Sequence, residues 1–152
     1  GARQPMIWGC LITGLSIALL TPSHLMLGDY KIFAMIAYTL FGIGLAFYAT
    51  PSTDAALSSL PAAQAGSGAG IYKMASSLGA AFGVAISAAI FTALSANPSA
   101  VNWLEGVITF QGRQDNLAIR EAAMIALGFN VFMVLVAILS IMLTVPKGKK
   151  AS

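Results

Sequence analysis

The chain has 152 residues, of which 58% are hydrophobic and only 9% are charged, and its net charge is +3. A soluble globular domain carries roughly 25% charged residues, so a water-soluble fold of this composition could not cover its surface with polar groups. The composition therefore excludes an ordinary soluble domain and predicts an all-α membrane protein.

Four long apolar segments follow one another along the chain. A helix needs about 20 mostly apolar residues to cross the hydrocarbon layer of a membrane. The sequence predicts four spans, at about residues 6–21, 32–50, 71–95 and 122–145, with a polar loop at 97–121 and a tail at 146–152. A link rich in Gly and Pro separates the second span from the third, which marks a break.

The start of the chain carries little information about targeting. The opening "GARQPM" has no initiator Met and no signal-peptide pattern, which suggests a piece of a larger protein. Cys10 is the only cysteine and lies in an apolar run. A single cysteine cannot support a disulfide framework.

The second predicted span carries most of the aromatic residues. Tyr38, Phe41 and Tyr48, together with Leu45, share one helical face. An aromatic face with little charge suits flat, lipophilic ligands, including cations held over the rings. Ordinary helix packing with an interfacial tyrosine explains the same pattern, and the residues alone do not separate the two interpretations.

The third predicted span is built largely from small residues. In "GSGAGIYKMASSLGAAFGVAISAAIF", residues 66–91, sixteen of 26 residues are Gly, Ala or Ser. Small residues permit close approach of helices in lipid, so Gly79 and Gly83 are predicted to serve in helix packing. Four helices alone supply few neighbours for such a surface. The glycine spacing does not fit a nucleotide-binding loop, which needs a preceding strand.

Two charges lie at the ends of the link between the second and third spans. Lys73 either extends its ammonium to the headgroups or pairs with Asp54 across the link. Asp54 itself has a second interpretation, as the cap of a short helix over "AALSSL".

The polar loop contains "NWLEGVITF", in which Trp103, Val107 and Phe110 stand at helical spacing. This pattern predicts either a short helix lying on the membrane interface or an ordinary loop with scattered apolar residues.

Residues for catalysis are not grouped in the sequence. There is one His and one Cys, and the carboxylates are not clustered. Metal sites need several such ligands together, and nucleophilic catalysis needs a base near the nucleophile. We therefore expect no enzyme activity, no metal and no cofactor. The lysines are confined to a short tail, so the basic charge does not indicate nucleic acid.

The link and third span resemble the corresponding segment of the 14-helix drug:proton antiporters of the major facilitator superfamily, the QacA/EmrB type. That family shows a leucine-proline, an alanine-glycine and then "N-x-x-R-x-x-G-G-x-x-G". Leu60-Pro61, Ala65-Gly66 and Leu78-Gly79-x-x-x-Gly83 match it. Ser76 and Ala80 stand where the family has its basic residue and second glycine, and Lys73 stands where it often has asparagine.

The N-terminus adds a second, weaker likeness. Gly1 and Arg3 match the end of the cytoplasmic loop motif D-R-x-G-[RK]-[RK] of that superfamily, whereas Ala2 does not. The likeness extends over all 152 residues and is strongest to quinolone-efflux pumps. It implies that these are the last four of 14 helices, with the second span lining a central cavity and the third flanking it.

The resemblance implies multidrug efflux, in which lipophilic and often cationic compounds leave in exchange for protons. Its partners would be the drugs, protons, the lipid bilayer and the remaining helices. Tyr38, Phe41 and Tyr48 become candidate drug contacts, and the proton-coupling carboxylates are expected in other helices. Two alternatives are a self-contained four-helix transporter acting as a dimer and a non-transporting assembly subunit.

Charge placement predicts the orientation in a bacterial cell membrane. Lys and Arg near span ends favour the cytoplasm. Four spans place both termini on one side, with Arg3, Lys147, Lys149 and Lys150, against Lys31, Arg113 and Arg120 on the other. Both termini are therefore predicted to be cytoplasmic, and the loop 97–121 external.

Overall fold

The computed structural model describes residues 1–147 and contains four long helices and no strand in that part of the chain. The helices are α1 (Arg3–Leu20), α2 (Leu27–Leu57), α3 (Ala65–Ser95) and α4 (Leu117–Thr144). Each is long and apolar enough to cross a membrane. The predicted all-α class with four spanning helices is confirmed.

All four helices begin before the predicted spans, and the second also ends beyond its span. The second helix begins at Leu27 and runs through Pro51 to Leu57, although the sequence favoured a break at the proline. Proline removes one backbone donor, but a membrane helix tolerates it where neighbouring groups satisfy the freed carbonyl. Asp54 consequently lies inside α2 and does not cap a separate helix.

The glycine-rich part of the link is also helical. The third helix begins at Ala65 and includes "AGSGAG", which the sequence analysis assigned to a broken link. Glycine is frequent in membrane helices, and Gly68 lies against the side chains of Leu57 and Leu60. The connection is therefore short and holds one turn of 3-10 helix, Ala62–Gln64.

The helices pack in the order α2, α1, α4, α3. The main contacts join α1 to α2, α1 to α4 and α3 to α4, while α2 and α3 touch less. The small core holds Met6, Cys10 and Ile141. This order leaves one side of α2 and most of α3 uncovered by the chain.

We name the two ends of this bundle by what they carry. The terminal end holds the start of α1, the link and the end of α4, and the loop end holds the α1–α2 loop and the connection from α3 to α4. In that connection two 3-10 turns, Pro98–Ala100 and Asn102–Gly106, precede Gly112, whose φ of +80° requires a residue without a side chain.

Of the two alternatives for "NWLEGVITF", the structure shows a short 3-10 helix over Asn102–Gly106 followed by loop. Trp103 and Val107 are exposed, whereas Phe110 is buried. Phe110 makes an edge contact with His24 and lies under the guanidinium of Arg120. The three residues therefore do not share one apolar face, because Phe110 packs against the loop end of the bundle.

Candidate functional site

The candidate site is the side of α2 that flanks its contact with α1. At the contact itself, Ala37 and Gly44 are buried against α1. Tyr38 is 70% exposed and Phe41 is 41% exposed, so both rings are uncovered by the chain. An open aromatic surface in the middle of an apolar helix is the geometry expected of a cavity-lining element.

The structure separates the third predicted contact from the other two. Tyr48 is half-buried and packs against the cluster of Met6, Cys10 and Ile141. The predicted set therefore divides into Tyr38 and Phe41 on the open side and Tyr48 at the boundary with α1. Tyr48 follows Phe41 by seven residues, a turn of only about 20°, so the division arises because α1 crosses α2 at Gly9, next to Tyr48.

A close crossing of α1 and α2 fixes how α2 presents this side. A Cβ at Gly9 would lie 2.7 Å from the backbone nitrogen of Tyr48 and 2.8 Å from the carbonyl oxygen of Gly44. Ser16 Oγ donates to the carbonyl oxygen of Ala37 at 2.8 Å in a buried position. The backbones touch, so rotation of α2 about its own axis is restricted.

Within residues 1–147, no other helix packs closely against the two glycines that were predicted to serve in packing. A Cβ at Gly79 or Gly83 would meet nothing within 4 Å. No residue of α3 is buried. The close helix contact is thus made by Gly9 and Gly44, for which the sequence pattern gave no packing prediction. The helix richest in small residues, α3, is the most open of the four.

A groove between α3 and α4 is lined by small residues together with the larger Val84, Phe91 and Leu127. It has a volume of about 530 Å³. Ser87 Oγ donates to Asn130 Oδ1 at 2.9 Å, and the Asn130 amide donates to the carbonyl oxygen of Ala126. These bonds satisfy polar groups inside an apolar groove, where a polar group without a hydrogen bond would cost free energy.

The two charges at the ends of the link are not paired with each other. Among residues 1–147 the only ion pair joins Arg113 and Asp115, and Asp54 and Lys73 are both exposed. Neighbouring side chains join the helices instead: the hydroxyls of Ser52 and Tyr72 lie 2.8 Å apart. The two helices are therefore joined beside the link by a neutral hydrogen bond, whose burial costs less free energy than that of an ion pair.

The N-terminal residues of the predicted cytoplasmic motif lie at the terminal end. Gly1 is exposed, and Arg3 begins α1 and is half-buried. The tail residues Lys149 and Lys150 lie outside the described part of the chain. Within the described residues, no group of three or more His, Cys, Asp or Glu is placed to hold a metal ion.

The loop end contains a network that the sequence did not reveal. Arg120 donates to the carbonyl oxygens of Ser23 at 2.7 Å, Leu25 at 3.2 Å and Arg113 at 2.9 Å. Ser23 Oγ donates back to the carbonyl oxygen of Arg120 at 2.8 Å. These bonds tie the α1–α2 loop to the start of α4, across 97 residues of sequence.

The ion pair of the loop lies in water. The guanidinium of Arg113 donates to Asp115, and it holds the pKa of that carboxyl below its usual range. Both side chains are largely exposed. An exposed pair of this kind contributes little to stability, so its effect is confined to the local conformation of the loop.

Comparisons with known proteins find relatives of the chain that are named quinolone resistance protein NorB. It is 40% identical over 151 residues to the quinolone resistance protein NorB of Staphylococcus aureus strain bovine RF122 / ET3-1, and 37% identical over 147 residues to that of strain MRSA252. Each alignment covers 97% of this chain but 28% of the relative.

Two other comparisons give no match. No family model matches the chain, and no solved structure matches it. The expected likeness to quinolone-efflux pumps is confirmed at the level of sequence. Over nearly its whole length, this chain is homologous to just over a quarter of the proteins named quinolone resistance protein NorB.

Proposed function

We propose that this chain is the C-terminal helical part of a proton-coupled multidrug antiporter of the major facilitator superfamily, which exports quinolones and other lipophilic or cationic compounds. The observation that carries the proposal is the open aromatic side of α2, found in a chain homologous to part of quinolone resistance proteins. Tyr38 and Phe41 are the proposed drug contacts, and Tyr48 supports their helix from the α1 side.

The uncovered surfaces support the proposal that further helices of the same transporter surround this unit. Gly79 and Gly83 leave space beside α3, and the ridge of Met74, Leu78 and Phe82 is exposed. Without neighbours, small residues gain nothing from packing in lipid. We propose that helices encoded elsewhere in the transporter occupy this space and that α2 and α3 border the central cavity.

Transport in such a protein proceeds by rocking two helix bundles about a site near the midplane. The rigid crossing of α1 and α2 at Gly9 and Gly44 suits a helix pair that moves as a unit. Asp54 is exposed beside the link and lies near the terminal end of α2. We propose that the main proton-coupling carboxylates lie in other helices and that Asp54 is dispensable for coupling.

The proposed location is the bacterial cell membrane, with both termini in the cytoplasm and the loop end outside. The apolar helices support the membrane location. Labelling of single cysteines in intact cells tests the orientation: a cysteine at Trp103 should react with an impermeant maleimide, and one at Ser59 should not. The reverse pattern would invert the proposed topology.

The drug contacts are tested in the intact gene product by uptake of a fluorescent quinolone into inverted vesicles. Loss of a ring contact of about 0.7–1.4 kcal/mol raises the apparent KM roughly three- to tenfold. We expect this for Tyr38→Ala and Phe41→Ala at normal membrane abundance. The matched control is Phe132→Ala, an equally exposed ring on α4.

Two outcomes would contradict the proposed contacts. An unchanged KM in both α2 variants would remove α2 from the drug path, and an equal rise in the control would show a general effect of removing a ring. Absence of any transport by the intact protein would favour the assembly-subunit alternative.

A further inference from the structure

Glu121 is an acidic side chain enclosed by the bundle. It is only 1% exposed and is the one buried charged residue in the part of the chain that the structure describes. It lies in the second turn of α4, after Asn116 and Leu117. Additional helices can only bury it further, so its enclosure does not depend on what surrounds this unit.

The two arginines at this end of the bundle are engaged elsewhere. Arg120 directs its donors to the carbonyl oxygens of Ser23, Leu25 and Arg113. Arg113 holds Asp115. Glu121 Oε1 has no hydrogen-bond partner. The acid is thus buried without an ion pair, while the guanidinium of the preceding residue donates to backbone groups.

The other titratable groups at the loop end do not neutralise it. Glu105, in the turn before α4, acts on Glu121 with a charge of the same sign. In the α1–α2 loop, His24 Nδ1 is buried without a partner. At the start of α2, Asp29 and Lys31 are exposed to the surroundings.

A second buried group at this end of the bundle also lacks a partner. Asn116, the residue before α4, has an unpartnered side-chain oxygen. Together with His24 Nδ1 and Glu121 Oε1, this makes three buried polar atoms without partners at one end of the bundle. A carboxylic acid that carries its proton is a hydrogen-bond donor, whereas the ionised form only accepts. A bound proton therefore supplies a donor at a place where donors are missing.

We propose that Glu121 is a proton-binding site and that its protonated form keeps the loop end closed. Burying an ionised carboxylate without a partner is so costly that the group normally neutralises. When the proton leaves, the carboxylate needs water or a cation. Arg120 is the nearest guanidinium in sequence, and its withdrawal from the carbonyl oxygens of Ser23 and Leu25 would loosen the α1–α2 loop, leaving the bond from Ser23 Oγ to the carbonyl oxygen of Arg120. The use of this step in transport rests on the proposed function; the proton site itself does not.

The protonation state is tested by infrared difference spectroscopy on the intact protein in lipid, without drug. At neutral pH, wild type minus Glu121→Gln should show the C=O stretch of a protonated carboxylic acid. The control is Glu105→Gln, which removes an exposed acid and should show carboxylate bands instead. Carboxylate bands assigned to Glu121 at neutral pH would overturn the proposal. If Glu121→Gln fails to accumulate, Glu121→Asp still identifies the group by a shifted acid band.

The closing role has a separate readout in backbone hydrogen exchange of the α1–α2 loop, residues 21–26. After correction for intrinsic rates, exchange in wild type should rise at least about tenfold at alkaline pH, which corresponds to about 1.4 kcal/mol of lost protection. Glu121→Gln cannot ionise and should stay protected. Equal protection of both proteins at every pH would refute the closing role. Because no drug is present, failure of drug transport leaves both results unaffected.

Discussion

The crossing of α1 and α2 makes a sharp prediction about Gly44. A Cβ at this position would lie 2.8 Å from the backbone nitrogen of Thr13 and 2.9 Å from the carbonyl oxygen of Gly9. Ordinary contact of a Cβ begins at 3.4 Å, so 2.8 Å is 0.6 Å too short. The side-chain Oγ1 of Thr13 lies closer still, but these two groups are backbone, which moves only if the whole helix moves. Gly44→Ala must therefore push α1 and α2 apart.

The expected cost follows from two opposing effects. Overpacking of a well-fitted contact costs about 1–3 kcal/mol, while replacing Gly by Ala favours a helix by up to roughly 1 kcal/mol. The net expectation for Gly44→Ala is a loss of about 1–2 kcal/mol. The control Gly42→Ala lies two residues away on the same helix, where a Cβ meets nothing within 4 Å, so it should be neutral or slightly stabilising.

The assay is thermal unfolding of the intact protein in detergent, followed by the fraction that elutes as a monodisperse peak after heating. Gly44→Ala should lose this peak at a lower temperature than wild type, and Gly42→Ala should not. Equal behaviour of the two alanine variants would refute the reasoning, because it would show that the α1–α2 contact does not decide the effect.

The remaining predictions concern hydrogen bonds. Tyr72→Phe removes the bond to Ser52 and should cost about 0.6–1.5 kcal/mol in the same melting assay. The control Ser59→Ala removes only a local exposed bond and should cost less. Equal losses would show that the Ser52–Tyr72 bond does not hold the two helices together. Because Arg113 lowers the pKa of Asp115, any stability from this pair is present above the usual carboxyl range and is lost as the pH falls through the lowered value. Asp115→Asn should therefore leave the melting temperature at neutral pH nearly unchanged, and a large drop would show that the pair is not a surface contact.

The class of the fold could be predicted because one physical quantity decides it. Runs of about 20 apolar residues have one stable solution in lipid, a helix. Local breakers misled the boundaries: Pro51 and the glycines before Ile71 predict breaks in water, but they lie inside α2 and α3. Helix ends therefore depend on packing that composition does not describe.

The open side of α2 could be predicted only in part. Periodicity placed Tyr38 and Phe41 together, but whether Tyr48 joins them depends on where α1 crosses. The signal for that crossing was present, since Gly9 and Thr13 are small and four residues apart. The glycines of α3 form a much longer run of small residues, and they therefore predict packing more strongly than Gly9 and Thr13 do.

Glu121 could not be found from the sequence, because it stands next to Arg120 at the end of a charged loop and looks like a solvated residue. Its burial comes from the connection before α4, in which Val101 and Leu104 are buried. Only the three-dimensional path of that connection distinguishes an enclosed acid from an exposed one.

The unequal burial of the helices bears on the order of events during synthesis. The first two helices complete each other through their glycine crossing and can pair as soon as both have left the ribosome. The third helix buries no residue within this chain and packs mainly on α4, so it stays exposed to lipid until the fourth helix has been inserted. Membrane proteases and insertion chaperones that survey newly made proteins would therefore meet this helix during the interval when it stands alone.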